Sequence, residues 1–196
     1  MKKPSLLFFI ILITFSTANG QFTKFGGGLG YSSAYQFHDM PWDANRSGHF
    51  NISLKSIYKL NLPVQISPSF TYLMPHITKE TQAGEEMTTT VSTIMFDING
   101  HYVFNSRDRF EFYGLAGLDI LLAWKKETYS SSNSTNKESD NALGLNLGAG
   151  TFMKITEQIN LYAEAKYIVS KYDQFMLNAG VLFNIDWLKK NDNSGK

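Results

Sequence analysis

From residue 21 onward the chain alternates. Apolar side chains recur at every second position, not at the 3.6-residue spacing of a helix, in stretches of roughly ten residues. Eight such stretches are read, over residues 23–35, 49–60, 64–74, 90–104, 110–124, 143–155, 159–169 and 174–185. The third sets Val64, Ile66, Pro68, Phe70, Tyr72 and Met74 against Gln65, Ser67, Ser69, Thr71 and Leu73. The seventh opposes Leu161, Ala163, Ala165, Tyr167 and Val169 to Tyr162, Glu164, Lys166 and Ile168. The eighth opposes Phe175, Leu177, Ala179, Val181 and Phe183 to Met176, Asn178, Gly180, Leu182 and Asn184. One face is apolar throughout; the other is small, polar or charged. Pro68 is the misfit, because its missing N–H costs a ladder bond unless a bulge accommodates it.

The connections alternate as well. Those at 61–63, 105–109 and 156–158 are short, whereas 36–48, 75–89 and 125–142 are long and polar, and 170–173 is again short. Antiparallel strands in even number put both chain ends on the short-turn side. The pattern predicts an all-β fold: an eight-stranded antiparallel up-and-down barrel over residues 21–188.

Two kinds of barrel fit. A soluble ligand-binding barrel of lipocalin type turns its apolar face inward, and a transmembrane barrel turns it to lipid around a polar lumen. Three features favour the membrane. The polar face is rich in glycine (Gly26, Gly28, Gly30, Gly144, Gly148, Gly150), which suits a narrow interior better than a solvated exterior. The apolar face carries aromatics at its strand ends. Tyr58, Tyr102, Phe104, Phe110, Phe112, Phe183 and Trp187 fall near the short turns; Tyr31, Tyr35, Phe50, Phe70, Tyr72, Trp124, Tyr167 and Phe175 fall near the long loops. Two aromatic girdles around an aliphatic band are what a bilayer selects. Finally, the polar face carries charges of both signs: Lys55, Lys59, Asp97, His101, Glu111, Asp119, Lys154, Glu164 and Lys166. These nine are the candidate ion-pair network of a closed lumen, since side chains just fill an eight-stranded interior. A gate that rearranges to admit ions is the alternative use of Glu164 and Lys166.

Residues 1–20 carry an address. Lys2 and Lys3 precede the apolar run LLFFIILITF at 6–15, and Ala18 and Gly20 occupy the small positions of a cleavage site. The run is too short to span a bilayer, so it predicts a cleaved signal peptide. Removing it leaves 16 basic and 17 acidic residues, with no basic footprint for nucleic acid. The chain contains no cysteine, which excludes disulfides, thiol nucleophiles and cysteine-based metal sites.

The search for chemistry finds little. Hydrolysis by an activated hydroxyl needs a base held by a third group. Of the four histidines, His38, His49 and His76 lie in or beside predicted loops, and only His101 faces the lumen. No catalytic, cofactor or metal residue is assigned. In the long loops, the polar stretch 125–141 reads as solvated, and Trp42 in the first loop is the better candidate for a surface contact.

The Gly20–Gln21 junction, FGGGLGYSSAY at 25–35, FYGLAGLDI at 112–120, INLYAEAKYIV at 159–169 and FMLNAGVLFNI at 175–185 together resemble the small eight-stranded outer-membrane β-barrel family of the OmpX and OmpA-barrel type. The likeness extends to its Bacteroidota, PorT-like versions. It implies a bacterial outer-membrane location with both termini in the periplasm, in contact with outer-membrane lipid and lipopolysaccharide. It also implies insertion by the barrel assembly machinery and a protein partner at the surface loops. The chain departs from the family pattern in its polar tail at 189–196 (KKNDNSGK), placed after the last aromatic strand. That tail is too short for a peptidoglycan-binding domain. The expected function is non-enzymatic: envelope structure with surface contact through the loops. The rivals are a subunit of an envelope or secretion assembly, a narrow pore, and a soluble ligand-binding barrel.

Overall fold

The computed structural model describes residues 21–33, 48–60, 63–82, 85–130 and 134–185. Residues 1–20, expected to be a leader, Tyr35, Trp42, Trp187 and residues 189–196 lie outside the described residues. Eight antiparallel strands follow one another around a closed barrel: β1 (Gln21–Ser32), β2 (His49–Lys59), β3 (Val64–Gln82), β4 (Glu85–Arg107), β5 (Phe110–Tyr129), β6 (Thr135–Lys154), β7 (Ile159–Val169) and β8 (Gln174–Asn184). β8 closes onto β1 from Lys24↔Asn184 to Ser32↔Met176. Closure satisfies the backbone groups that an open edge would leave bare in lipid. No described helix is long and apolar enough to cross a membrane; the crossing elements here are strands.

Each of the eight alternating stretches is a strand, but four run further than their apolar pattern. β3 and β4 remain paired from His76↔Val91 to Gln82↔Glu85, and β5 and β6 from Leu122↔Asn141 to Thr128↔Thr135. Much of what reads as polar loop at 75–89 and 125–142 is therefore hairpin. The reason is solvent. Beyond the lipid the outer face of a strand meets water, so its apolar alternation disappears, although Met87 and Thr89 stay covered on the inner face and the β-branched Thr78, Thr81, Thr88, Thr89 and Thr90 still favour extended backbone. β2 pairs with β3 only as far as Asn51↔Leu73, and β6 with β7 only as far as Leu145↔Val169. The extensions of β3 to β6 thus form a four-stranded wall above one side of the rim. At the other end, β4 and β5 turn through Asp108 and Arg109, and Asp108 takes the positive φ (30°) that a two-residue hairpin turn requires.

Pro68 is accommodated without a bulge. The β2–β3 register is the same on both sides of it, at Lys55↔Ser69 and Tyr58↔Ile66, and the pairs between are missing. Its other flank stays in the β4 ladder opposite Ile98. The lapse faces β2, where the missing N–H asks for no partner.

The side chains are arranged inside out. Leu29, Phe50 and Leu143 are 66%, 67% and 68% exposed on the outer surface, while Lys55, Lys166 and Asp97 inside are 3%, 2% and 1% exposed. A soluble barrel would reverse these positions; only an apolar solvent around the wall makes them favourable. Tyr31, Phe50, Tyr72, Trp124, Tyr167 and Phe175 mark one end of the outer face, and Phe22, Tyr102, Phe104, Phe110, Phe112 and Phe183 the other. Tyr58 joins the second girdle but is covered. A register shift between Phe22 and Lys24 lays the Phe22 ring edge-on against it at 5.2 Å.

Candidate functional site

The lumen is filled in layers. Toward the wall, Leu73, Met95, Leu121, Ile168 and Met176 close it with apolar side chains; toward the short turns, Ile57, Tyr113, Phe152, Tyr162 and Leu182 do the same. Glycines on the inward face make room for the large rings. A side chain at Gly150 would collide with the Tyr113 hydroxyl, and one at Gly28 with the Tyr162 hydroxyl. Those two positions show why the polar face is rich in glycine: an eight-stranded interior has space for a tyrosine only where its neighbour has no Cβ.

Between the apolar layers lies a buried polar layer. Alternation on β2, β4 and β7 turns Lys55, Asp97, His101, Glu164 and Lys166 to one interior, and the barrel register brings them to one height. Lys55 Nζ donates to Glu164 Oε2 at 2.6 Å, and the Tyr113 hydroxyl donates to the same oxygen at 3.0 Å. His101 Nε2 stands 3.8 Å from it, and the His101 ring stacks on Tyr113 with centroids 4.3 Å apart. Lys166 Nζ donates to Asp97 Oδ1 at 2.8 Å, and Asn146 Nδ2 donates to both Asp97 Oδ1 and Asn99 Oδ1 at 2.8 Å. Ser69 Oγ donates to Asp97 Oδ2 at 3.0 Å. Lys55 also lies over the Tyr162 ring, 4.9 Å from its centroid. Buried charges survive when they are paired and hydrogen-bonded, and Glu164 and Asp97 are both.

The nine residues read from sequence divide in two. Lys55, Asp97, His101, Glu164 and Lys166 form the central layer. Asp119 sits directly across from Asp97 in the β4–β5 ladder, fully buried, and neither of its carboxylate oxygens has a hydrogen-bond partner among the described residues. Glu111, Lys59 and Lys154 stay at the short-turn mouth. There Glu111 lies 3.9 Å from Lys24, Lys154 pairs with Glu157 in the following turn at 3.2 Å, and Lys59 is exposed. They line a mouth cavity of about 220 Å³ together with Lys24 and Arg109. Period 2 gives a residue's face but not its height, and these three lie at strand ends. Sequence reasoning left Tyr113, Tyr162, Ser69, Asn99 and Asn146 out of the network; their polar atoms on the small-residue face were the available signal.

A smaller cluster sits at the opposite rim. Asp140 on β6 accepts from Lys171 Nζ at 2.5 Å and from the Tyr172 hydroxyl, which ties β6 to the β7–β8 turn. Those two hydrogen bonds, Lys171 first, bring the Asp140 carboxyl down to about 2.

Chemically, the central layer is built to hold charge still. Among the described residues neither nitrogen of His101 hydrogen-bonds a hydroxyl. Among the described residues no three His, Asp or Glu are grouped to hold a metal ion.

Comparison with known proteins now adds the family. The model of the outer membrane protein beta-barrel domain matches residues 5–187. The chain belongs to that outer-membrane β-barrel family. Neisserial surface protein A shares its fold with a TM-score of 0.58 at 13% identity, over 84% of this chain and 98% of that one. A major outer membrane protein from Thermus thermophilus superposes with a TM-score of 0.56 at 11% identity, over 82% and 98%. The attachment invasion locus protein Ail of Yersinia pestis follows with a TM-score of 0.48 at 16% identity, over 83% and 100%. No curated protein matches the chain in sequence. As a member of this family, the chain is an outer-membrane β-barrel protein.

Proposed function

We propose that this barrel is a non-enzymatic element of the envelope, with a closed lumen and a working surface on the tall wall of β3 to β6. The observation that carries the reading is the combination of a lumen shut by two apolar layers with hairpins that stay paired beyond the outer aromatic girdle. A barrel that conducts needs an open interior; a barrel that makes contacts needs a stiff platform clear of the lipid. In this reading residues 1–20 are a cleaved leader, the short turns and both termini face the periplasm, and residues 189–196 are a periplasmic tail. Outer-membrane lipid and lipopolysaccharide surround the barrel, the assembly machinery inserts it, and a protein partner is met by the wall and the loop containing Trp42.

Two measurements test it together. Reconstituted in a planar bilayer, the barrel is expected to show no steady conductance; a steady single-channel current would replace the closed lumen with a pore. Deleting 78–81 together with 86–89 removes pairs that oppose each other, Thr78↔Thr89 to Thr81↔Glu86, and so shortens the hairpin without shifting its register. The shortened barrel is expected to keep heat-modifiable gel mobility while losing partners cross-linked at the cell surface. Retention of the same partners would place the contact elsewhere and sink the wall's role.

A further inference from the structure

Residues 125–141 carry three lysines and three acids, and the β5–β6 hairpin sorts them by face. On β5 the exposed Trp124 marks the outer face, so Lys126 points outward and Lys125 and Glu127 inward. On β6 the exposed Leu143 and Leu145 mark it, so Lys137 points outward and Glu138 and Asp140 inward. All three acids thus lie inside, where Glu127 and Glu138 meet Lys125 at 3.1 and 3.0 Å and Asp140 meets Lys171. The outer face keeps only the two lysines. They stand directly opposite each other in the ladder, Lys126↔Lys137, both exposed, and neither pairs with a carboxylate among the described residues. Around them on that face are hydroxyls: Thr90 across from Lys126, the Thr128↔Thr135 pair beyond, and Ser139 across from Trp124. Like charges directly opposite on a sheet repel across about 5 Å.

We propose that Lys126 and Lys137 together hold the phosphate of an outer-leaflet lipid headgroup against the outer face of the wall. The height fits. Trp124 belongs to the outer aromatic girdle, and such rings sit at headgroup level. Two residues further along a strand is about 7 Å, or about 5 Å of height at a tilt near 40°. That puts both lysines within a headgroup layer about 5–8 Å deep. A phosphate between them replaces their repulsion with charge-assisted hydrogen bonds, and the neighbouring hydroxyls add donors. Lys79 on the same outer face takes no part, because Glu86 already holds it at 3.7 Å. A phosphorylated lipid fits better than an acidic protein, since the two side chains point sideways into the lipid boundary and not up from the rim. This rests on the reading that the long hairpins face outward among lipopolysaccharide, and it names the residues that grip that lipid.

The test reads the melting midpoint of the barrel, by heat-modifiable gel mobility, in phosphatidylcholine vesicles free of divalent cations. Adding lipid A, the phosphorylated glucosamine lipid of lipopolysaccharide, is expected to raise the wild-type midpoint. Lipid A stripped of its phosphates, or inorganic phosphate, is expected not to. Each lysine at an anionic lipid surface is worth about a fivefold change in binding, so Lys126→Gln with Lys137→Gln should need roughly 25 times as much lipid A for the same rise. Relief of the repulsion keeps this double variant at least as stable as the wild type in phosphatidylcholine alone. Orientation is checked apart, with Thr135→Cys on the otherwise cysteine-free chain: an impermeant maleimide is expected to label it on intact cells. No labelling would overturn the outward reading and the proposal with it. With labelling in hand, the proposal alone falls if lipid A leaves the wild-type midpoint unmoved or the double variant keeps the full rise. An equal rise from dephosphorylated lipid A or inorganic phosphate would sink it as well.

Discussion

Two ion pairs in this barrel share their chemistry and differ in everything else. Lys55 and Glu164 meet at 2.6 Å in the lumen with side chains 3% and 2% exposed; Lys79 and Glu86 meet at 3.7 Å on the wall with side chains 68% and 56% exposed. On the wall, water takes over either charge when its partner is removed. In the lumen no such substitute exists, so the loss of one partner leaves a charge between apolar layers. Burial thus makes a pair costly to break without making it a large net gain, because both groups were already stripped of water.

The largest break in this contrast is Glu164→Ala, which leaves Lys55 and Tyr113 without their shared acceptor. A loss of about 3–5 kcal/mol is expected in urea unfolding of the reconstituted barrel. A loss near zero together with raised bilayer conductance would instead make Glu164 part of a gate. Replacing the pair at once, Lys55→Met with Glu164→Leu, sharpens the point: most of that loss should disappear, since an apolar pair removes both charges. Next comes Gly150→Val, which drives a side chain into the Tyr113 hydroxyl beside the ion layer and is expected to cost about 1–3 kcal/mol in the same assay.

Smaller effects belong to the rim and the wall. The Asp140 carboxyl is held down to about 2 from an unfolded value of 3.8 by Lys171 and Tyr172. Its contribution is therefore fully present above about pH 4 and fades as pH falls from there toward 2. Because the group is partly exposed, Asp140→Asn should remove no more than roughly 1 kcal/mol at neutral pH, with the difference from wild type shrinking in acid. Lys79→Ala closes the series with roughly 0–1 kcal/mol, read from a double-mutant cycle with Glu86→Ala. A wall cycle as large as that of Lys55 and Glu164 would undo the comparison.

The same contrast explains what could be read from the chain. Lys55, Asp97, Glu164 and Lys166 were legible as inward charges because alternation is local: Asp97, Glu164 and Lys166 each have an apolar neighbour on both sides, and Lys55 follows Leu54. Their height was not. Glu111, Lys59 and Lys154 share that face and end at the mouth, since height follows from strand tilt and cross-barrel register. The wall escaped for a related reason. Thr78 to Gln82 and Glu85 to Thr90 form strands whose outer face meets water instead of lipid, so no apolar pattern announces them. Pro68 looked like a defect until its flank toward β2 proved to be a lapse in the ladder.

The sequence by itself determined the solvent and the strand count. Period-2 alternation and the sorting of rings to strand ends depend only on which face meets lipid, and that is written residue by residue. Tertiary structure alone decided which charges meet. Asp97 faces Asp119, and Lys55 reaches Glu164 across the lumen, because the closed register sets positions far apart in the chain at one height. Local pattern carries no information about that closure.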